Sequence, residues 1–311
     1  MQRLLTGLQP SGVLHIGNYL GALKPFSEMY SQYESFLMVA DYHALTSLRD
    51  PEALRANIRD IVRSYVAAGV DPKKAVIFQQ SRVQEHTELA WIFECLVTVP
   101  FLELSHAYKD KVAKGLEANA GLFNYPMLMA ADILLYDTDV VPVGADQRQH
   151  LEYAREAAAK FNNSYGDVLK EPQAKILESV AVVPGTDGKK MSKSYGNTIP
   201  LYEPKDVLVK AVMSIVTDSS GELPQNVYEI HKHFKSKKEL DALYESNKGK
   251  YKVLKEALID DIEKIVAPMR EIYESITDAD VERILKEGSD RAREYAAAKM
   301  KAVRSSIGVT I

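Results

Sequence analysis

Residues 4–21, Leu-Leu-Thr-Gly-Leu-Gln-Pro-Ser-Gly-Val-Leu-His-Ile-Gly-Asn-Tyr-Leu-Gly, constrain the fold more than any other stretch. An apolar start, a cluster of turn residues and an apolar continuation read as a buried strand that passes through a tight turn into a helix. Gly7, Pro10, Ser11 and Gly12 punctuate the loop, and the run from Val13 to Leu23 can continue as helix. A helix starting there aims backbone N–H groups and the positive end of its dipole above the strand, an arrangement that suits an anion. Gly17, without a side chain, would let a ligand lie against the backbone, and His15 and Asn18, three apart, share a helical face. A glycine-rich turn with an incidental histidine accounts for the same residues, so other stretches must decide.

The pattern repeats downstream. Phe36-Leu37-Met38-Val39-Ala40 reads as a second buried strand ending in polar Asp41-Tyr42-His43. Asp50 and Pro51 form a cap-and-first-turn pair opening a helix whose apolar positions run Leu54, Ile58, Ile61, Val62, Tyr65 and Val66 up to Gly69. Ala75-Val76-Ile77-Phe78 is a third strand, and strand-helix-strand order predicts an α/β fold with a parallel sheet covered by helices. Residues 84–121 are mostly helical, and Trp91, Ile92, Phe93, Leu96 and Val97 give a broad apolar face that fits either core or a dimer surface. Pro126 is expected to start a helix on which Tyr125, Met129 and Asp132 stack at i, i+4 and i+7. A carboxylate in an apolar face is seldom buried unpaired, so Asp132 either makes a structural hydrogen bond or meets a ligand's donor.

Val140-Val141-Pro142-Val143 reads as a strand followed by Gly144-Ala145-Asp146-Gln147, where Asp146 can cap the next helix or reach with Gln147 into a crevice. A further strand is expected at Val180-Ala181-Val182-Val183. Beyond it, Lys189-Lys190-Met191-Ser192-Lys193-Ser194 alternates lysines with small hydroxyls in a Gly-flanked loop, a cationic arm suited to a polyphosphate. From about Leu201 only amphipathic helices follow, with Pro268 expected to kink or break the one from Tyr251. His231, Lys232, His233, Lys235, Lys237, Lys238, Lys248, Lys250, Lys252 and Lys255 concentrate positive charge there, as a solvated surface or a phosphate-binding patch would. The net charge of -4 makes no global case for a nucleic-acid binder. The single Cys95 fits a reducing compartment, no apolar run approaches a bilayer's span, and the start lacks the apolar length of a secretory signal, so a cytoplasmic protein is expected.

Pro-Ser-Gly-Val-Leu-His-Ile-Gly-Asn early, Gly-Ala-Asp-Gln in the middle and Lys-Met-Ser-Lys-Ser later, in this order and each at an expected strand end, resemble the class I aminoacyl-tRNA synthetases. Within them the chain is similar to the tryptophan branch. The tyrosine branch tends to carry glutamine where Met129 stands, whereas an indole suits a thioether on its face and Asp132 accepting from its one N–H.

The resemblance implies a Rossmann-like doubly wound parallel sheet over residues 1–200, with a helical insertion at about 84–135. It also implies a helical anticodon-binding domain over 201–311. Gln9, Pro10, Ser11, Gly17 and Asn18 would line the ATP site with His15 beside the phosphates, although the wider class has histidine where Asn18 stands. Gly144, Ala145 and Asp146 would hold the adenosine, and Gln147 the polar end of tryptophan. Lys190, Met191, Ser192, Lys193 and Ser194 would close over the pyrophosphate, with Lys111 as another phosphate contact. Tyr125, Met129 and Asp132 would form the side-chain pocket. Mg²⁺, tRNA(Trp) and a homodimer complete what the family pattern implies.

Overall fold

The structure, a computed structural model, describes residues 1–115, 117–143, 148–176, 183–217 and 223–310. Five parallel strands, β1 (Arg3–Leu8), β2 (Glu34–Val39), β3 (Val76–Gln79), β4 (Val140–Val143) and β5 (Gln173–Ile176), form one sheet in the order β3-β2-β1-β4-β5. Leu5 pairs with Phe36, Leu37 with Ile77, Leu4 with Val140 and Val141 with Ala174. Because β1 lies between β2 and β4, the connections diverge there and leave a crevice above the carboxyl ends of β1 and β4. This is the Rossmann-like doubly wound fold expected from sequence. The strand β5 was not expected, since Gln-Ala-Lys-Ile carries no apolar run of its own and forms by pairing with β4. Of the strand expected at 180–183, only Val183 lies among the described residues.

Strands β1 to β4 are mostly apolar because both sheet faces are covered. Alternation sorts their side chains into two cores: Leu4, Leu37, Val39 and Ile77 on one side, Leu5, Phe36, Met38, Val76, Phe78 and Val141 on the other. The first core is closed by α4 (Pro51–Ala67), whose Asp50 cap accepts from the Glu52 and Ala53 amides. The second is closed by α5 (Glu85–Glu94), α8 (Ala120–Leu134) and α9 (Arg148–Tyr165), with the short α6 (Val99–Leu102) and α7 (His106–Ala113) between. After residue 201 come α10 (Lys205–Met213), α11 (Gln225–His231), α12 (Lys237–Ser246), α13 (Tyr251–Ser275) and α14 (Asp278–Ser306), and no strand among the described residues.

Helix boundaries depart from expectation at prolines. The first helix begins at Ile16, not Val13, as α1 (Ile16–Asn18), then a π turn (Tyr19–Leu23), then α2 (Lys24–Met29). In the π turn Lys24 N–H reaches back to Tyr19, one residue before Pro25, which has no N–H to continue an ordinary ladder. A short α3 (Asp41–Ala44) follows β2. Pro126 does not start α8 but lies inside it. The helix starts at Ala120, where the Asn119 side chain accepts from Leu122 N at 2.8 Å and donates to Thr46 O at 3.0 Å. An interior proline costs about 3 kcal/mol, and burial of Met127, Ala130, Ala131, Ile133 and Leu134 offsets it. Pro268 likewise leaves α13 unbroken, since Val266 and Met269 on either side are buried.

The last helix, α14, lies along the edge of β3. Gln79 N–H, which would otherwise be an unpaired edge donor, bonds Ser289 Oγ at 3.2 Å, and Gly288 presses against the Ile77 carbonyl.

Candidate active site

The first turn leaves β1 at the crevice. Ser11 N donates to Gln9 O at 2.8 Å, Gly12 adopts a φ of 132° open only to glycine, and Asn57 of α4 donates to Pro10 O at 3.2 Å. Gln9 Nε2 donates to His43 O at 3.1 Å, tying this turn to the end of β2. The bare helix-start amides expected here are largely engaged. Ile16 N donates to Ile199 O at 2.9 Å, and Asn18 N and Tyr19 N both reach His15 O, at 2.8 and 3.2 Å. Asn18 Oδ1 in turn accepts from His15 N at 3.0 Å, so Asn18 braces the turn. His15 is buried, and burial, with Lys193 adding to it, pushes the imidazole down to about 4. Near neutral pH it is uncharged, so it can offer a phosphate a hydrogen bond and no charge.

The 190–194 loop comes down onto this turn. A Cβ on Gly17 would lie 3.0 Å from His15 Nδ1 and 3.3 Å from Met191 Sδ, and one on Gly12 would lie 3.4 Å from Lys193 Nζ. The structure therefore brings Gly12, His15, Gly17, Met191 and Lys193 together. The loop's shape comes from buried Asn197. Its Oδ1 accepts from Ser192 N at 2.8 Å, and its Nδ2 donates to Lys190 O at 3.1 Å and Asp187 Oδ1 at 2.6 Å. That last bond holds the Asp187 carboxyl below the usual carboxylate range. Ser192 and Ser194 pair at 2.9 Å through their hydroxyls, and Lys190 is exposed. Lys111 stands in α7 and makes no hydrogen bond or ion pair to the first turn or the loop among the described residues. Gly144, Ala145, Asp146 and Gln147 lie outside the described residues.

Asp132, 1% exposed, is the centre of the second cluster. Oδ1 accepts from Gln80 Nε2 at 2.8 Å and lies 2.6 Å from His86 Nδ1; Oδ2 lies 2.8 Å from His43 Nε2 and 3.0 Å from Gln80 Nε2. Burial alone would raise its pKa, but His86 and His43, by charge and by hydrogen bonds, overcome this and hold it at about 2. His86 is anchored from behind by Tyr136 Oη at 2.8 Å. Of the three side chains around the carboxylate only His43 is not buried, so the carboxylate faces the crevice through His43. Tyr125 meets the His43 ring edge-on at 6.2 Å, and half-buried Met129 packs against the same core. Of the two roles open to Asp132, the structural hydrogen bond is present in the structure.

Sequence reasoning gave no role to His43, Gln80, His86, Asn57 or Asn197. His43 and Gln80 stand just past the ends of β2 and β3, where ligands of doubly wound sheets gather, and that position was the available signal. The other three act through the packing of distant elements, which no local pattern encodes.

The pattern of the family described as tRNA synthetases class I (W and Y) matches residues 1–296. The chain belongs to that family. Among class I relatives it is 47% identical over 320 residues to the tryptophan–tRNA ligase of Fusobacterium nucleatum, covering 99% of this chain and 98% of that one. The crystal structure of Campylobacter jejuni tryptophanyl-tRNA synthetase complexed with ADP and tryptophan superposes with a TM-score of 0.91 at 43% identity, covering 99% of this chain and 100% of that one. Archaeoglobus fulgidus tyrosyl-tRNA synthetase, complexed with L-tyrosine, shares the fold at 18% identity and a TM-score of 0.67, covering 88% of this chain and 90% of that one.

Proposed function

We infer that the chain is a tryptophan–tRNA ligase. One observation carries this reading: relatives of that name match from end to end at 42 to 47% identity, against 18% for the tyrosine enzyme above. The tryptophan carboxylate attacks the α-phosphorus of ATP, the bond to the bridging oxygen breaks, and pyrophosphate leaves with the electron pair. A ribose hydroxyl at the end of tRNA(Trp) then attacks the acyl carbon and expels AMP. Neither step needs a nucleophilic side chain, so the protein's work is positioning two anions and stabilising charge on the leaving group. Lys193 over the first turn, with Lys190 on the same loop, supports that role. No group of three carboxylate, imidazole or thiol side chains among the described residues could cage a metal. Mg²⁺ would be carried on the phosphates of ATP, where it would screen charge. Exchange of labelled pyrophosphate into ATP with each of the twenty amino acids tests the assignment. Tryptophan alone should support exchange, and a response to tyrosine instead would place the chain in the other branch.

For selection, the indole N–H competes with His43 for Asp132 Oδ2, while Met129 packs against the ring. Asp132→Asn is expected to lower the ratio of kcat/KM for tryptophan over tyrosine by about 2 kcal/mol, some thirtyfold, because an amide cannot serve all the donors now around the carboxylate. An unchanged ratio would remove Asp132 from specificity.

The helices after residue 201 would bind the anticodon of tRNA(Trp), and cytoplasmic translation is the setting this reading implies. No helix among the described residues is long and apolar enough to cross a membrane. The apolar face of α5 divides between the two uses its sequence allowed: Phe93 is buried in the core, whereas Trp91 is 66% exposed, with Val99 and Val112 exposed on the helices that follow and Leu104 in the turn between them. That surface suits a homodimer. Sedimentation should give twice the chain's 34.8 kDa, and Trp91→Glu should return it to monomer. A Trp91→Glu protein that stays dimeric would move the interface elsewhere.

A further inference from the structure

We propose that Lys255, far along the chain from the nucleotide motifs, is a positioning residue that holds the 190–194 loop in its working geometry. The proposal rests on the ligase reading above. Lys255 sits on α13 and is 8% exposed, an unusual place for an ammonium group. Its Nζ donates to Met213 O at 2.8 Å and Ile215 O at 2.7 Å, the carbonyls at the end of α10, where the negative end of the helix dipole favours a cation. Burial costs the charged form something, and the ammonium's pKa is lowered accordingly.

The pinned turn reaches the loop through bonded groups. Val216 N–H, next to Ile215, donates to Thr186 O at 2.7 Å, and Asn226 Nδ2 donates to Val216 O at 2.8 Å. The same Asn226 side chain fills the space over Gly188, where a Cβ would come within 2.6 Å of its Oδ1. Thr186 N–H donates to Asn197 O at 2.9 Å, and the Asn197 side chain holds Lys190 O and Ser192 N–H. From the ammonium of α13 to the backbone around Lys190 there is thus an unbroken run of hydrogen bonds and backbone. A displacement of the 213–217 turn must move the 184–197 hairpin, and with it Lys193 over the first turn. Lys255 touches no reacting atom. It acts by fixing the segment on which the loop rests.

The test compares Lys255→Met with the unaltered chain, in full-length protein shown to melt cooperatively. Exchange kcat with tryptophan should fall about tenfold to a hundredfold, the loss that misplacement of a charge-stabilising group by an ångström produces, while the Kd for tryptophan stays within about twofold. Amide hydrogen exchange at Val216 and across 184–194 should speed up, a readout that needs no activity. In a Lys193→Ala background, Lys255→Met should lower kcat much less, because the main charge it positions is gone and only Lys190 remains on the loop. Equal losses in both backgrounds would show that Lys255 acts elsewhere, and unchanged kcat in a folded Lys255→Met protein would overturn the proposal. If Lys255→Met does not fold, Asn226→Ser cuts the same path nearer the loop, and its loss must likewise shrink sharply without Lys193 or the path is refuted. Failure of the unaltered chain to respond to tryptophan would sink the ligase reading alone, and the amide-exchange arm would still judge the path.

Discussion

Gly288→Ala is expected to lower the free energy of unfolding by about 3 kcal/mol, seen as a reduced urea midpoint at unchanged slope. Helix propensity points the other way. Alanine inside α14 should stabilise by about 1 kcal/mol, and a sequence-only argument would choose it as an improvement. Sterics decides, because a Cβ at 288 would lie 1.8 Å from Ile77 O and 2.6 Å from Ile77 C, both backbone atoms of a paired strand. Neither can turn aside as a side chain could, so α14 must back away from β3. That movement also loosens the bond from Gln79 N to Ser289 Oγ and the packing of Ala292, Ala296 and Met300 against the second core. Gly249→Ala provides the control for backbone effects alone. It has a φ of 70° and no neighbour within reach of a Cβ, and it should cost only about 1 kcal/mol. A stabilised Gly288→Ala protein would mean that α14 does not sit this close to the sheet.

That contact shows where sequence reading stops. Strands β1 to β4 were legible because each is a short apolar run bounded by turn residues, and strand-helix-strand alternation implied that they run parallel; their order in the sheet was not legible. The edge strand β5 has no such run and exists by pairing. Pro126 and Pro268 misled because the proline rule describes an isolated helix, and both lie in helices whose buried faces outweigh the missing bond. Of the residues that the first turn and the 190–194 loop bring together, His15, Gly17, Met191 and Lys193 were candidates from sequence because turns and loops at strand ends carry local signatures, whereas Gly12 had been read only as a turn residue. The surroundings of Asp132 could not. Its polar neighbours come from residues 43, 80 and 86, on three elements that only the sheet order brings together. The charge state of His15 was equally hidden, since it follows from burial beneath a loop about 180 residues away.

Lys193→Ala should lower the rate of adenylate formation about 10² to 10³-fold while ATP affinity changes much less. The expectation follows from when the charge appears. In the ground state the γ- and β-phosphates already carry their negative charge and can be screened by water and counterions. As the α-phosphorus bond breaks, the bridging oxygen gains charge that only a group held in advance can stabilise without reorganisation. Lys193 meets that condition: its chain lies against Gly12, 3.4 Å from the point a Cβ would occupy, with Met191 seated beside Gly17 beneath it. His15 cannot substitute, because burial keeps its imidazole neutral down to about pH 4, and a neutral ring supplies a hydrogen bond in place of a charge. Pre-steady-state measurement of adenylate formation, with ATP titrated at saturating tryptophan, separates the two effects. A variant whose only change is a higher ATP KM would show that Lys193 binds substrate and transition state alike, and that the charge on departing pyrophosphate is met by another group.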